Sequence, residues 1–235
     1  MTVTGKKSIS ETPDLFSRLR EACADEWRVY TDHDFVRGLA DGTLPEACFR
    51  HYLGQDFLFL IHFARAYALA AYKGDNLGDI RQAAASLSAI LDVEMDLHVK
   101  FCSRWGLDED DMAALPEAEE TMAYTRYVLE KGLQGDLLDL HVALAPCILG
   151  YAEIGRTLAE SPATRLEGNP YAPWIDMYAS DQYQAVAEDE RATIERLMAR
   201  RGSPGRLPVL TETFRQATRL EAALWDMGMH AVDRC

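Results

Sequence analysis

The chain has 235 residues, of which 48% are apolar and 26% charged, the balance of a soluble globular protein. This length is enough for one large core and short for two ordinary domains, so we expect a single domain spanning residues 1–235. The formal net charge of −14 argues against a nucleic-acid partner, whose phosphates require a basic surface. No stretch approaches the ~20 consecutive apolar residues that span a bilayer, so we expect no membrane partner.

The N-terminal segment, residues 1–11, is expected to be a disordered tail. It lacks the apolar core of a signal peptide, which predicts a cytoplasmic protein. The cysteines are odd in number, scattered and without CxxC spacing, so we expect reduced thiols rather than a disulfide framework or a zinc site. They are Cys23, Cys48, Cys102, Cys147 and Cys235.

Apolar residues recur with a helical period almost throughout, without an alternating strand pattern or an internal repeat. The sequence therefore predicts an all-α fold. Thr12 before Pro13 predicts the N-cap of the first helix, and Thr43 to Glu46 predicts a capping box for the third. The predicted helices cover residues 13–29, 35–40, 43–72, 76–105, 116–132, 136–159, 170–179, 181–201 and 208 onward.

One face of the predicted helix 43–72 is aromatic except for a single carboxylate, Asp56. The aromatic members of this face are Phe49, Tyr52, Phe59 and Phe63. An unpaired buried carboxylate costs on the order of several kcal/mol or becomes protonated, so Asp56 is expected to have a hydrogen-bonding partner or a ligand. A structural pair with an arginine or tyrosine of a neighbouring helix and a functional role explain it about equally well.

The predicted helix 76–105 carries a carboxylate and an imidazole four residues apart, Glu94 and His98. Such a pair can share a metal, but a metal site needs further ligands from other helices, and the histidines form no HExxH or ExxH pair. We therefore interpret the two residues as a hydrogen-bonded pair on one helix face. The apolar residues that mark the side of the helix occupied by Glu94 are Ile80, Ala84, Leu87 and Leu91.

The predicted helix 136–159 sets Cys147 beside Pro146 within an apolar run. Because proline has no N–H to donate, the helix is expected to kink or restart there. A restart would leave Cys147 in a first turn, where the helix dipole lowers the pKa of the thiol. The alternative is a buried cysteine that packs as a small hydrophobe. Tyr151 lies one turn further on the same face.

The last predicted helix is apolar on two sides, which places it centrally, and Glu221 lies on one of them. Burial is expected to raise the pKa of this carboxyl, so that it carries a proton near neutrality. The alternative is a salt bridge to an arginine of another helix. Asp56, Cys147 and Glu221 then supply three chemical groups from three helices.

Four segments together resemble the TenA/THI-4 family, the thiaminase II proteins, in the branch that contains a cysteine. They are Asp41–Pro45, Gln55–Phe59, Leu144–Gly155 and Arg219–Met227, and the match runs in order over nearly the whole chain. The resemblance implies a heme-oxygenase-like helical bundle, a homotetramer, and a hydrolase that needs no cofactor. The implied reaction, in thiamine salvage, cleaves thiamine or deaminates its aminomethylpyrimidine product at the pyrimidine methyl carbon, giving hydroxymethylpyrimidine.

The resemblance also assigns roles. Cys147 matches the nucleophile that adds to the pyrimidine, and Glu221 matches the acid that protonates the ring nitrogen. Asp56 matches the carboxylate that engages the 4-amino group and helps activate the thiol. The matching pocket tyrosines are Tyr124, Tyr151 and Tyr178. Phe59 stands where many relatives have a tyrosine, so stacking is retained and a hydroxyl is lost.

Two other functions compete with this hypothesis. A di-iron oxidase on the same fold would need at least four inward ligands, and the chain offers Glu94 and His98 without a matching later group. A regulatory protein that binds DNA would need a basic surface and a recognition motif, which the acidic chain does not show. We therefore predict a small pyrimidine as the partner, and no metal.

Overall fold

The computed structural model of the chain describes residues 13–231, and this part of the chain contains helices, turns and loops and no strand. The predicted all-α fold is confirmed. In chain order the α-helices of this part, α1 to α12, are Leu15–Ala22, Ala24–Thr31, Asp34–Asp41, Glu46–Lys73, Leu77–Ala89, Met95–Cys102, Glu109–Ala113, Glu119–Gln134, Leu137–Glu160, Ala172–Ala179, Asp181–Arg201 and Leu207–Met229. The predicted tail, residues 1–11, and the residues Thr12 and Cys235 lie outside the described part.

Helix α9 lies at the centre of the bundle, with α2, α4, α8, α10, α11 and α12 packed around it. Its first turn is held by a capping box between Asp136 and Asp139. Contrary to expectation, α9 is long and apolar enough to cross a membrane by length and composition alone. However, 83% of its most apolar window is buried inside the protein. The apolar composition of α9 is therefore accounted for by its position in the core.

Pro146 lies inside α9, and the helix continues without a restart from Leu137 to Glu160. A proline within a helix costs about 3 kcal/mol, which the burial of the surrounding turns offsets. The Tyr30 hydroxyl donates to the Pro146 carbonyl oxygen at 3.4 Å. Gly150 permits this approach, since a Cβ atom there would lie 2.2 Å from the Tyr30 ring.

An aromatic cluster around Trp225 of α12 joins the N-terminal helices to the centre of the bundle. Phe35 stacks on the Trp225 ring with a centroid distance of 4.9 Å, and Tyr151 lies 5.4 Å from it. The other rings in contact with Trp225 are those of Tyr30, Tyr52 and Trp174. Packed rings of this kind fix the helices that carry the candidate site.

The first predicted helix is in fact two helices. Cys23 leaves the helical conformation, with φ −121° and ψ 29°, and separates α1 from α2. The break lets α2 turn and pack on α12. The side chain of Asp14 caps α1 by accepting from the Ser17 N–H at 2.8 Å. Leu15 and Trp27 are buried.

The predicted capping box at Thr43 does not form. The Thr43 hydroxyl donates instead to Asp41 Oδ1 at 2.6 Å. This contact belongs to the turn after α3, where Gly42 adopts a φ of 76° that favours glycine. Helix α4 therefore begins only at Glu46, after Pro45, and no side chain caps it.

Helix α8 also begins later than predicted, at Glu119. The side chain of Gln55 in α4 holds the preceding residues, because its Nε2 donates to the Pro116 carbonyl oxygen and its Oε1 accepts from the Ala118 N–H. A contact from another helix therefore sets this boundary, and the local sequence does not encode it.

The predicted helix 76–105 is interrupted by a π turn at Ile90–Glu94, between α5 and α6. One extra residue in a helical turn rotates the remainder of the helix by about 100°, a single residue's share of a 3.6-residue turn. Ile80, before this turn, and Leu91, within it, are solvent-exposed, at 38% and 49%. Beyond the π turn, His98 is buried in the core.

Candidate active site

Four core helices bring the predicted site residues to one place in the bundle. Asp56 comes from α4, Tyr124 from α8, Cys147 from α9 and Glu221 from α12. Both carboxyl groups are almost fully buried, with exposed fractions of 7% for Asp56 and 1% for Glu221. Their charges both raise the pKa of the Cys147 thiol, which places the three groups within electrostatic reach of one another.

Glu221 is a buried carboxyl that holds its proton near neutrality. Burial raises its pKa to about 8, although a hydrogen bond from Tyr124 acts in the opposite direction. The Tyr124 hydroxyl donates to Glu221 Oε1 at 2.8 Å. The Cys147 thiol lies within hydrogen-bonding reach of the same carboxyl group. Within residues 13–231 no arginine pairs with Glu221, so the alternative of a salt bridge is wrong.

Cys147 is a thiol rather than a thiolate in the resting structure. Burial raises the pKa of its Sγ well above the usual value, and the charges of Glu221, Glu94 and Asp56 raise it further. The pKa lowering expected from a helix restart does not occur, because α9 is continuous and Cys147 lies far from its N-terminus. The side chain remains partly accessible, whereas Cys23, Cys48 and Cys102 are buried.

Asp56 is paired with His98 of α6, a partner that the sequence did not indicate. His98 Nε2 lies 2.6 Å from Asp56 Oδ2, and the Tyr52 hydroxyl donates to the same oxygen at 3.1 Å. His98 Nδ1 lies 2.8 Å from the Glu94 carbonyl oxygen. A carbonyl can only accept, so Nδ1 carries a proton.

The charge of the Asp56–His98 pair depends on whether the His98 imidazole is protonated. Burial acts to lower the pKa of His98, but the hydrogen bond to Asp56 and the Asp56 charge outweigh it, and the net pKa is raised. The raised pKa favours the imidazolium form of His98, which forms a buried ion pair with Asp56. The predicted Glu94–His98 pair exists only through the Glu94 backbone, because the Glu94 side chain does not take part.

The predicted tyrosines surround these groups. The Tyr151 hydroxyl lies 3.2 Å from that of Tyr52, which links it to Asp56. The ring centroids of Tyr151 and Tyr178 are 4.8 Å apart. Gly155 allows α10 to approach this closely, since a Cβ atom there would lie 2.5 Å from the Tyr178 backbone carbon. Two aromatic rings and a line of hydroxyl groups thus adjoin the ion pair.

Phe59 lies beside Tyr124, the tyrosine that donates to Glu221. Its ring centroid is 5.1 Å from that of Tyr124 and 5.3 Å from that of Phe63. Its side chain is 2% exposed. Phe59 therefore packs against the tyrosine that holds Glu221 and adds no polar atom.

Glu94 is a further carboxyl group at the site, which the sequence did not indicate. It is only partly exposed, and burial raises its pKa to about 7. Its charge acts on the pKa of Cys147, Tyr178 and Tyr183. The spacing to His98 drew attention to this residue, but its place among these groups depends on the π turn, which has no simple sequence signature.

The polar side chains of the site are not arranged as the ligands of a metal ion. Both imidazole nitrogens of His98 are occupied, one by the Glu94 carbonyl oxygen and the other by Asp56. In the part of the chain that the structure describes, no group of three or more histidine, cysteine or carboxylate side chains is arranged to hold a metal ion. These contacts argue against Glu94 and His98 as ligands of a di-iron site.

Comparisons with known proteins identify relatives over most of the chain. The sequence profile of the TENA/THI-4/PQQC family matches residues 20–231. A solved structure from Silicibacter sp. TM1040, described as a TenA family transcription regulator, has a TM-score of 0.86 at 43% identity and covers 92% of this chain and 96% of its own. An aminopyrimidine aminohydrolase of Halalkalibacterium halodurans is 36% identical over 218 residues, which cover 89% of this chain and 93% of that protein.

A more distant structure bears on the fold alone. A domain from Shewanella denitrificans, described as having a heme oxygenase-like fold, has a TM-score of 0.72 at 15% identity. It covers 96% of this chain and 95% of its own. The predicted heme-oxygenase-like bundle, in a single domain, is therefore confirmed.

Proposed function

Because the chain belongs to the TENA/THI-4/PQQC family, we propose that it is a hydrolase of the thiaminase II or aminopyrimidine aminohydrolase type, acting in thiamine salvage. The substrate is thiamine or the aminomethylpyrimidine derived from it, and the product is hydroxymethylpyrimidine. One observation carries the proposal: a buried acid that keeps its proton, Glu221, lies within hydrogen-bonding reach of a partly accessible thiol, Cys147.

The reaction begins at the thiol. Addition of Cys147 Sγ to the electron-poor ring requires a thiolate, but the resting pKa of the thiol is raised. The proton must therefore leave the sulfur as the substrate binds. Asp56 is the assigned acceptor, since Glu221 already carries a proton. His98 holds Asp56 as a carboxylate, which also accepts a hydrogen bond from the 4-amino group of the pyrimidine.

The ring then accepts the electron pair. As the C–S bond forms, negative charge develops on a ring nitrogen, and Glu221 delivers its proton there. Glu221 becomes a carboxylate in a buried position, where the Tyr124 hydroxyl at 2.8 Å already donates to it. Tyr124 therefore stabilises the charge that Glu221 acquires. The addition makes the ring electron-rich, and this electron density expels the group on the methyl carbon.

Aromatic side chains hold the pyrimidine during these steps. Tyr151 and Tyr178 form an aromatic corner with ring centroids 4.8 Å apart, and Phe59 and Tyr124 form a second ring pair with centroids 5.1 Å apart. Aromatic rings of this kind suit a planar substrate. The hydroxyl groups of Tyr52 and Tyr151 continue the polar edge that begins at Asp56.

The direct test is steady-state kinetics of the purified protein on thiamine and on aminomethylpyrimidine, with hydroxymethylpyrimidine identified by mass spectrometry. Reaction in ¹⁸O-labelled water is expected to place the label in the new hydroxyl group. Absence of turnover on both substrates contradicts the proposal. Iron determination on the same preparation tests the di-iron alternative, which requires bound metal.

A regulatory role is the alternative suggested by the description of the Silicibacter neighbour. The net charge of −14 disfavours contact with DNA phosphates. A gel-shift experiment with genomic DNA fragments at low salt is expected to show no retardation. Retardation without turnover of either pyrimidine would favour the regulatory role over the enzyme.

We also propose a homotetramer in the cytoplasm. Exposed apolar side chains at one end of the bundle are consistent with an interface: Tyr72 is 87% exposed and Leu133 66%. They lie near each other, because Lys73 Nζ donates to the Leu133 carbonyl oxygen. Sedimentation at micromolar concentration is expected to give four times the 26.4 kDa mass of the chain. A monomer would contradict the assembly without affecting the proposed chemistry.

A further inference from the structure

The proposed reaction requires a proton at a second position, which none of the assigned residues supplies. When the leaving group is an amine bound in its neutral form, the nitrogen takes the electron pair of the broken C–N bond and must gain a proton to depart as ammonia. Glu221 delivers its proton to the ring. Asp56, held by His98 and Tyr52, keeps the thiol proton for its return to the sulfur. A further acid is therefore needed on the side of the methyl carbon.

Glu94 is the remaining carboxyl group at the site. The π turn Ile90–Glu94 packs against α4, the helix of Asp56. Its backbone is tied to the ion pair, because His98 bridges the Glu94 carbonyl oxygen, at 2.8 Å, and Asp56 Oδ2, at 2.6 Å. This bridge fixes where the Glu94 side chain leaves the main chain.

The carboxyl group of Glu94 is free to act. Within residues 13–231 it makes no hydrogen bond or ion pair, and the residue is partly exposed. Its charge reaches Cys147 and the pocket tyrosine Tyr178. Single π turns within α-helices are frequent at functional sites, where they redirect a side chain.

We propose that Glu94 is the general acid that protonates the amine leaving group, an inference that rests on the proposed aminopyrimidine hydrolysis. In this step the C–N bond breaks, its electron pair stays on nitrogen, and the Glu94 carboxyl proton moves to that nitrogen. Ammonia departs, and the methyl carbon becomes an exocyclic methylene conjugated with the thiol adduct. Glu94 is left as a carboxylate.

Water completes the cycle without any other reactant. Its oxygen adds to the methylene carbon, and one of its protons returns to the Glu94 carboxylate. The C–S bond then breaks, its electrons return to sulfur, Glu221 recovers the ring proton, and Asp56 returns to the sulfur the proton that it took from the thiol. One water is consumed and one ammonia is released. A pKa of about 7 suits Glu94 both for giving its proton to the amine and for taking a proton from water, because both of its protonation states are populated near neutrality.

Thiamine provides an internal comparison. Its leaving nitrogen is quaternary, so it departs as a neutral thiazole and needs no proton. The role assigned to Glu94 is therefore required for the amine substrate and unnecessary for the departure of thiazole. A residue that only shaped the pocket would affect both substrates alike.

The experiment measures release of the leaving group in a single turnover, with enzyme in excess, for Glu94→Gln and wild type. Ammonia release is expected to slow by about 10²- to 10⁴-fold, while thiazole release changes less than about fivefold. Glu94→Asp is expected to restore part of the ammonia rate. Glu94→Gln keeps the backbone carbonyl that His98 binds, so the Asp56–His98 pair remains intact.

Asp92→Asn is the matched control, because it removes an exposed carboxylate from the same π turn and is expected to leave both rates unchanged. An equal loss with both substrates in Glu94→Gln, or no loss with either, overturns the inference. If the wild-type protein releases ammonia but no thiazole, a trimethylammonium analogue of the substrate replaces thiamine. Failure of the wild-type protein on every substrate would instead refute the proposed function.

Discussion

Within residues 13–231, two buried imidazole–carboxylate pairs lie in the core, and one of them adjoins the candidate site. His98 Nε2 lies 2.6 Å from Asp56 Oδ2, and His141 Nδ1 lies 2.8 Å from Glu190 Oε1. No side chain in either pair is more than 7% exposed. Burial and pairing alone therefore do not identify a catalytic carboxylate.

The two pairs differ in their surroundings. Asp56 shares its region with a thiol and with carboxyl groups whose pKa values are raised to about 7 and about 8. The His141–Glu190 pair borders a cavity of about 10 Å³, room for about one water molecule, whose described lining includes Tyr67 and Thr193 and no thiol. A nucleophile and proton donors next to the pair are what distinguish a candidate site from a structural contact.

The largest expected effect is that of Cys147→Ser. A serine hydroxyl loses its proton far less readily than a thiol and supplies almost no nucleophile at neutrality, so turnover is expected to fall to background. Circular dichroism and thermal unfolding are expected to match wild type, since the change is small. Cys102→Ser is the control, because Cys102 is buried in α6 and burial raises its pKa to about 11. A normal rate in Cys147→Ser, or an equal loss in Cys102→Ser, means that the wrong thiol was chosen.

Glu221→Gln tests the acid of the site against Glu190→Gln in the other pair. The first is expected to lower kcat by about 10²- to 10⁴-fold, since glutamine cannot deliver a proton. The second is expected to keep kcat within about threefold of wild type and to lower the free energy of unfolding by about 1–3 kcal/mol, because it weakens a buried hydrogen bond. Equal activity losses would remove the distinction between the two regions.

A comparison of Glu221→Gln with wild type also tests how Glu221 couples stability to pH. The pKa of Glu221 is about 8 in the folded protein and 4.5 in its ordinary environment. Between these values the folded state holds a proton that the unfolded chain has lost, so the free energy of unfolding falls as pH rises. Relative to wild type, Glu221→Gln is expected to gain on the order of 5 kcal/mol from pH 4 to pH 9. Denaturant titrations of both proteins at the two pH values measure this difference, and a constant difference would contradict a buried neutral acid.

Asp56→Asn is expected to weaken substrate binding and to slow turnover, because asparagine cannot accept the thiol proton and leaves the His98 imidazolium without its carboxylate. Because the Asp56 charge raises the pKa of the Cys147 thiol, its removal is expected to lower the pH at which iodoacetamide labels Cys147. His141→Gln, in the other pair, is expected to leave the labelling profile unchanged. An unchanged profile in Asp56→Asn would contradict the electrostatic coupling of Asp56 to the thiol.

Helical periodicity accounts for most of what the sequence predicted correctly. It placed Asp56, Cys147 and Glu221 on inward faces of long helices, where the structure buries or half-buries them. It did not predict His98 as the partner of Asp56, since the two residues are 42 positions apart and only tertiary packing joins them. The π turn was missed because its extra residue leaves no local pattern.

The protonation state of Cys147 also could not be predicted from the sequence. The expectation of a lowered pKa depended on a local event, a helix restart at Pro146, which packing prevents. The pKa of Cys147 is instead raised by burial and by carboxyl groups that come from other helices, chiefly Glu221. Local signals place a side chain in the core, whereas its pKa depends on the groups that the rest of the fold places beside it.

The smallest expected effect is that of Phe59→Tyr, which adds the hydroxyl that many relatives are expected to have. Phe59 is 2% exposed and its ring faces that of Tyr124, so the new hydroxyl must find a partner in the site. If bound substrate or the Cys147 sulfur provides it, stacking is kept and a polar contact is gained. If nothing does, an unpaired buried hydroxyl costs about 1–3 kcal/mol.

The structure favours a partner among the reacting groups, because Tyr124, the ring beside Phe59, holds the acid Glu221. The ratio of kcat/KM for aminomethylpyrimidine to that for thiamine is therefore expected to shift by less than about tenfold, with kcat kept within about threefold. Phe63→Tyr, one helical turn further along α4, is the control for adding a hydroxyl to the same aromatic face. Loss of turnover in Phe59→Tyr, with Phe63→Tyr unaffected, would show that Phe59 is required as an apolar wall, and that its difference from the relatives is part of how this site works.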